Sequence, residues 1–366
     1  MLSFALDKAR GVVECLYKER KVLEFRVGLS YDGRAVSYAS LEGLREAERT
    51  LEVEARLGDE SFKLEIKRVG EGAFYSRIIG ALSRRGAELV GVIGVKPLDL
   101  DRALLVHLGR GAPHYFLAFG YYTMKAAGLE PRSAPPPDPA PYPPPDFKDM
   151  AYEDELGQDP FSFPVVVESL ERFTPGIPVI LALIRERACI VGLKPLSGNG
   201  YKSFIRIDGE SEYPLRFWSR SFVAESGGTA IPLGAVSIGL DPYRVVEAIG
   251  LCLREAGGGL IRLRGEKRFP EVFKYLGWCS WNAFLHNVAH EKIVEMVKKL
   301  RELGAPIRYV IVDDGWHVVK GGQFFAKRLA SFLPDPGKFP RGFRGLVEEL
   351  GKIGVCWVGV WHTLQG

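Results

Sequence analysis

At 366 residues, 46% hydrophobic and 26% charged, the chain has the make-up of a soluble globular protein with enough core for two domains. Its net charge of +4 is small and its Lys and Arg are interspersed with Asp and Glu, which argues against a nucleic-acid-binding surface. No apolar run approaches the roughly 20 residues of a membrane-spanning helix, so no membrane partner is expected.

The N-terminus, Met1-Leu-Ser-Phe-Ala-Leu-Asp7, has no signal-peptide pattern. The cysteines, Cys15, Cys189, Cys252, Cys279 and Cys356, are odd in number, widely spaced and mostly flanked by apolar residues. They read as reduced core thiols, and the chain is expected to be cytoplasmic. Asn and Gln are confined to Asn199, Asn282, Asn287, Gln158, Gln323 and Gln365, a scarcity that hints at a thermophilic source.

The first 125 or so residues read as β-rich. Leu51–Leu57 and Phe62–Lys67 alternate apolar and polar residues, as antiparallel strands with one wet face do. Val22–Val27, Ala87–Val95 and Tyr115–Phe119 are further candidates, and the spacing predicts a β-sandwich. Pro131–Pro145 holds nine prolines and forms neither helix nor central strand; it reads as an extended connector, with a recognition tail for a proline-binding partner as the other reading. The loop continues to Asp159. Strands resume at Pro164–Val167, Pro178–Ile184, Ala188–Leu193, Ser203–Ile207 and Phe217–Val223, extending the same β domain. Asp241-Pro242 then opens a helix, Asp as N-cap and Pro at its first position. That helix runs through Val245, Val246, Ile249 and Leu253, stops at Gly257-Gly-Gly259, and reads as the link between domains.

After Arg268-Phe-Pro270 the pattern becomes strand–helix–strand. A strand at Tyr275–Trp281 precedes a helix with Ile293, Met296, Val297, Leu300 and Leu303 on one stripe. The strand Arg308–Val312 follows, its run Val310-Ile-Val312 suggesting cover on both faces. A long loop is expected from His317 to Pro340. A second helix carries Phe343, Leu346, Val347 and Leu350, and a third strand spans Val355–Trp361. This βαβαβ order opens either a (β/α)8 barrel or a doubly wound sheet.

In parallel α/β folds, ligands bind at the C-terminal ends of strands. There the chain places Asp313 and Asp314 side by side, with Trp281, Trp316, Trp361 and His362 at the same level. Carboxylates suit sugar hydroxyls and indoles suit the apolar sugar face, so these six residues are the candidate substrate-binding set. The plainer reading makes the aspartates loop caps and the tryptophans core; Trp278 reads as core. His286 and His290 have the four-residue spacing of helical zinc ligands, but no Glu follows His286 and no third ligand is evident. Gly257-Gly-Gly259 lacks the Lys-Ser/Thr of a phosphate loop, and no cofactor or metal is implied.

Taken together and in order, Arg268-Phe-Pro270, Gly277-Trp-Cys-Ser-Trp-Asn-Ala-Phe284, Asp313-Asp-Gly-Trp316, Lys338-Phe-Pro340 and Val360-Trp-His-Thr-Leu-Gln-Gly366 resemble the alkaline α-galactosidase, raffinose synthase and seed imbibition protein group, relatives of glycoside hydrolase family 36. Asn282 departs from the Asp common in that group. The resemblance is looser before residue 266, where Asp241-Pro-Tyr-Arg-Val-Val246 matches best. It implies a β-supersandwich over 1–265, with the proline-rich excursion at 131–159, and the first strands of a TIM barrel over 266–366.

The resemblance further implies a retaining carbohydrate enzyme whose two carboxylates lie about 5–5.5 Å apart across the scissile bond. The group carries its nucleophile in a Lys-x-Asp motif and its acid/base as another Asp, both on later barrel strands. Three strands here compare with eight in about 250 residues for a whole barrel. The catalytic pair is therefore expected beyond Gly366, and this chain alone is expected to be inactive. Asp313 and Asp314 would bind the galactose 4- and 6-hydroxyls of a galactose-containing oligosaccharide or glycoside. The acceptor remains open between water and a sugar. A third reading is a non-catalytic sugar-binding or assembly half, completed by a second polypeptide.

Overall fold

The computed structural model describes residues 2–31, 35–80, 89–108, 162–173, 178–221, 230–320 and 328–362. The proline-rich connector and the strand expected at Tyr115–Phe119 lie outside them. The chain divides into two compact units, the boundary falling between Arg264 and Gly265.

The first unit is an antiparallel β structure. In chain order its strands are β1 (Leu2–Asp7), β2 (Val12–Tyr17), β3 (Arg20–Tyr31), β4 (Ser37–Tyr38), β5 (Ser40–Ala47), β6 (Thr50–Leu57), β7 (Glu60–Val69) and β8 (Ala73–Ile79). They continue as β9 (Leu89–Pro97), β10 (Leu100–Leu108), β11 (Ser162–Val167), β12 (Val179–Glu186), β13 (Ile190–Pro195), β14 (Tyr201–Ile207), β15 (Leu215–Ser221) and β16 (Ile231–Gly239). They hydrogen-bond into one 16-stranded sheet in the order β1-β2-β3-β9-β15-β14-β12-β13-β16-β8-β7-β6-β5. The strand β10 pairs with β12 and with β11, and β4 pairs with β3.

The sheet closes over its own apolar face. Phe25 of β3 and Phe4 of β1 both meet Phe74 of β8 edge to face, at 5.7 and 5.2 Å, although β8 stands far from them in sheet order. Period-two alternation explains the choice of face. On β6, Leu51, Val53 and Ala55 are buried while Glu54 and Arg56 point outward. One continuous core of buried residues from both halves results.

The helix α1 (Pro242–Ala256) starts as the sequence predicts, with the Asp241 carboxylate accepting from the Tyr243 N–H at 2.8 Å. It is not a linker. Val245, Ile249 and Cys252 are buried against Ala73, Tyr75 and Ala235 of the first unit. Gly192 of β13 makes room, since a Cβ there would sit 2.6 Å from Val245 and 2.7 Å from Ile249.

Among the described residues of this unit Glu24, Glu65 and Glu186 are buried, Glu24 the most deeply. Glu24 on β3 is 3% exposed. It accepts from the Arg10 guanidinium at 3.0 and 2.8 Å and pairs with Lys21 at 2.7 Å. Burial pushes its pKa up; the bonds from Arg10 and Lys21 outweigh that and hold it at about 2, against 4.5 for an ordinary glutamate. A depressed carboxyl contributes stability above its unfolded pKa, and that contribution disappears as pH falls through the folded value. Glu24→Gln is therefore expected to flatten the stability–pH curve between those two values, read by denaturant melts across the acid range. An unchanged slope would contradict this assignment.

The second unit is built on a three-stranded parallel sheet of β17 (Gly277–Cys279), β18 (Tyr309–Val312) and β21 (Trp357–Val360), with β18 central. A helical turn, α2 (Trp281–Phe284), and the helix α3 (His290–Glu302) connect β17 to β18. The first strand is shorter than expected, because Trp281 belongs to that helical turn. The expected loop after β18 contains an antiparallel pair, β19 (His317–Lys320) and β20 (Arg328–Pro334). The helix α4 (Gly342–Lys352) then leads to β21.

Ile293 and Val297 of α3 and Leu346 and Leu350 of α4 pack with Val310 and Val312 in one core. Cover on both faces, as the apolar run suggested, is not what the described residues provide. Ile311 is half-buried, and Cys279 and Gly359, its register partners, are exposed. Alternation explains this: Val310 and Val312 face the helices, and Ile311 faces away.

Candidate functional site

The strand β18 ends at Val312, and the main chain turns through Asp313, Asp314 and Gly315. Two fixed points hold the turn. Ser280, fully buried at the end of β17, accepts the Asp313 N–H at 2.9 Å. The Trp361 N–H, at the end of β21, bonds the Val312 carbonyl at 2.8 Å. Gly315 has φ +97°, a left-handed value that favours glycine. Leaving strand geometry removes the rule that would send adjacent side chains to opposite faces.

Each carboxylate is held by one main-chain N–H and one side-chain donor. Asp313 Oδ1 accepts from the Asp314 N–H at 2.8 Å, and its Oδ2 from the Cys279 thiol at 3.0 Å. Asp314 Oδ1 accepts from the Gly315 N–H at 2.6 Å, and its Oδ2 lies 2.9 Å from His286 Nε2. A carboxylate has about four lone-pair positions, so each keeps acceptor capacity for a ligand. Burial pushes the Asp314 pKa up, but the hydrogen bond and charge of His286 outweigh it, leaving a net shift below the usual carboxylate value.

The aromatic residues of the candidate set divide. Trp316 is 5% exposed and belongs to the core; its Nε1–H bonds the Trp361 carbonyl at 2.8 Å. This differs from its expected place as a sugar-facing ring: the indole stacks on His317 and meets Phe343 at a tilt, on the core side. Trp361 is 39% exposed beside it. Trp281 is half-buried, its ring edge-on to His286 at 5.1 Å. His362 is exposed, with its ring 5.5 Å from His317 and 5.0 Å from Phe332. Trp278 packs against Phe284 at the margin of the core.

Besides Ser280, three neighbours of the aspartate turn stand outside the candidate set: Cys279, His286 and Lys338. All three sit in or beside the motifs Gly277–Phe284 and Lys338–Pro340, which was the available signal. His286 and His290, read as a helical pair, turn to different partners: His286 to Asp314 and His290 to Glu349. Cys15, Cys189 and Cys252 are buried as expected, but Cys279, which pairs with the outward-facing Ile311, and Cys356, just before β21, are exposed. His317 is nearly buried. Desolvation and the nearby His362 lower its pKa, with Asp314 opposing.

Cys279 reports on Asp313. Burial raises its thiol pKa, and the bond to the Asp313 carboxylate raises it further. Asp313→Asn removes that carboxylate, so iodoacetamide should alkylate Cys279 several-fold faster at neutral pH, read by peptide mapping. An unchanged rate would mean that the thiol does not sense Asp313.

Residues 219–328, which include the aspartate turn, match the family described as raffinose synthase or seed imbibition protein Sip1. A probable galactinol–sucrose galactosyltransferase of Arabidopsis thaliana is 35% identical over 151 residues, covering 36% of this chain and 20% of that protein. A probable α-galactosidase B of Aspergillus clavatus is 35% identical over 125 residues, covering 33% of this chain and 26% of that one. The chain thus matches about a fifth to a quarter of the length of these curated relatives. A crystal structure of a β-arabinopyranosidase shares the fold, with a TM-score of 0.50 at 11% identity, over 100% of this chain and 54% of that one.

Proposed function

We propose that this chain, which over part of its length is similar to the raffinose synthase and seed imbibition protein family and to α-galactosidases, takes part in processing α-galactosides. The carrying observation is the Asp313-Asp314 turn at the C-terminal end of a parallel strand, with both carboxylates oriented and still able to accept. On this reading the parallel sheet is the opening of a TIM barrel, whose ligands lie at that end of the strands.

Asp313 and Asp314 bind the axial 4-hydroxyl and the 6-hydroxyl of galactose, with Trp281, Trp361 and His362 as the surrounding wall. They bind and do not react; the nucleophile and acid/base of a retaining mechanism are other carboxylates. The protein works in the cytoplasm on a galactose-containing oligosaccharide or glycoside. Hydrolysis is the first reading. Transfer to a sugar is the second, favoured by the likeness to a galactosyltransferase, and product analysis with sucrose present separates the two.

Calorimetric titration of the chain with galactose and with glucose tests the site. Binding of galactose and not of glucose is expected. Equal binding of both, or none of either, would overturn the proposal.

A further inference from the structure

His286 comes to Asp314 from another part of the chain, and its place there is constrained from several sides. It follows α2 across Leu285, whose φ of +48° and ψ of −138° are strained for a side chain with a Cβ. Such a conformation persists only where the surroundings impose it. The surroundings here are Lys338 and Gly315. Lys338 Nζ donates to the His286 carbonyl at 2.8 Å and to the Gly315 carbonyl at 2.6 Å. One ammonium thus ties the loop that carries the histidine to the turn that carries the aspartates.

Lys338 is itself anchored through its main chain. Its N–H reaches the Asp335 carbonyl at 3.1 Å, and its carbonyl accepts the His290 N–H at 3.0 Å. The main chains of His286 and Gly315 also touch closely: a Cβ on Gly315 would lie 2.5 Å from His286 Cα and 2.6 Å from its carbonyl oxygen. The Asp314 carboxylate and the Trp281 ring both meet the His286 ring, and Asp314 also feels His317 from β19.

We propose that His286 and Lys338 are positioning residues. His286 fixes the rotamer of Asp314 so that its free lone pairs face the sugar, and Lys338 fixes His286. The consequence for ligand binding rests on the galactose reading above; the mechanical support does not. A carboxylate held at one oxygen only by its neighbour's N–H would turn freely about its side-chain torsions, and affinity would fall without any contact to the sugar being removed.

The test uses the full chain and two readouts. One is the titration midpoint of the Asp314 carboxyl, followed by 13C NMR. The other is galactose affinity. The variants are His286→Leu, which removes the donor, His286→Gln, which keeps an N–H near the position of Nε2, and Lys338→Met, which keeps length and loses the two bonds.

His286→Leu and Lys338→Met are expected to raise the Asp314 midpoint and to weaken galactose binding by tenfold or more. His286→Gln should bind within about threefold of wild type. An Asp314 midpoint unmoved in His286→Leu would overturn the support itself. A moved midpoint with Gln and Leu variants equally weak would overturn the orienting role, since a merely structural histidine would not be rescued by a donor. If no variant and not the wild type binds galactose while the midpoint still moves, the galactose reading fails and the support stands.

Discussion

Asp313→Ala and Asp314→Ala are each expected to weaken galactose recognition at least tenfold while leaving the fold of the second unit intact. A hydrogen bond to a charged acceptor contributes roughly 1.5–3 kcal/mol, which corresponds to a factor of about ten or more. Discrimination against glucose should suffer more than affinity. A site with oriented, partly desolvated carboxylates rejects a ligand that leaves them unpaired, by factors on the order of 10⁴ in the strongest cases.

The competing role, a plain loop cap, predicts something else. The carboxylates do bond the N–H groups of Asp314 and Gly315, so a cap would reveal itself as a lowered melting temperature with unchanged affinity in the folded fraction. Measuring both quantities on the same variants separates the roles. Asn at either position keeps one acceptor oxygen and should fall between Asp and Ala in affinity.

The parts of the fold written in local chemistry were legible. Asp241-Pro242 predicts the start of α1, and the alternation of Leu51–Leu57 predicts β6 with its wet face. Strands without alternation were harder. Ile231–Gly239 is buried on nearly every residue, so period two carries no signal there. Leu2–Asp7 does alternate, through Leu2, Phe4 and Leu6, and forms β1, a strand not among those expected from sequence. The pair β19 and β20 is hidden in sequence because Gly321-Gly322 and Pro334-Asp-Pro336 dominate that stretch and carry turn signals.

The candidate site was legible in its centre and not in its wall. The apolar run before Asp313, followed by Gly315, locates the turn from sequence alone. Whether Trp316 points inward or outward is decided by Phe343, His317 and the Trp361 carbonyl, contacts made by residues far away in sequence. The same holds for His286 and Lys338, whose separations from the aspartate turn hide the bonds they make to it. The spacing of His286 from His290 carries no sign of the carboxylate that packing gives it.

Gly315→Ala is expected to produce the largest single loss in the second unit. Two costs coincide there. At φ +97° a Cβ is strained, a penalty of about 1–3 kcal/mol. It would also press at 2.5–2.6 Å on the main chain of His286, which cannot swing aside as a side-chain tip does. Relief requires the aspartate turn and the His286 loop to part, breaking the Lys338 bridge and the Asp314–His286 bond together.

Gly304 provides the control. Its φ is +86°, but nothing lies within 4 Å of its Cβ position, so Gly304→Ala incurs the conformational cost alone. Thermal melts should therefore place Gly315→Ala well below Gly304→Ala. Galactose affinity should drop at least tenfold in Gly315→Ala and stay near wild type in Gly304→Ala. Equal melting temperatures for the two variants would mean that the His286 loop yields easily, and the close main-chain contact would then have no part in holding the aspartates in place.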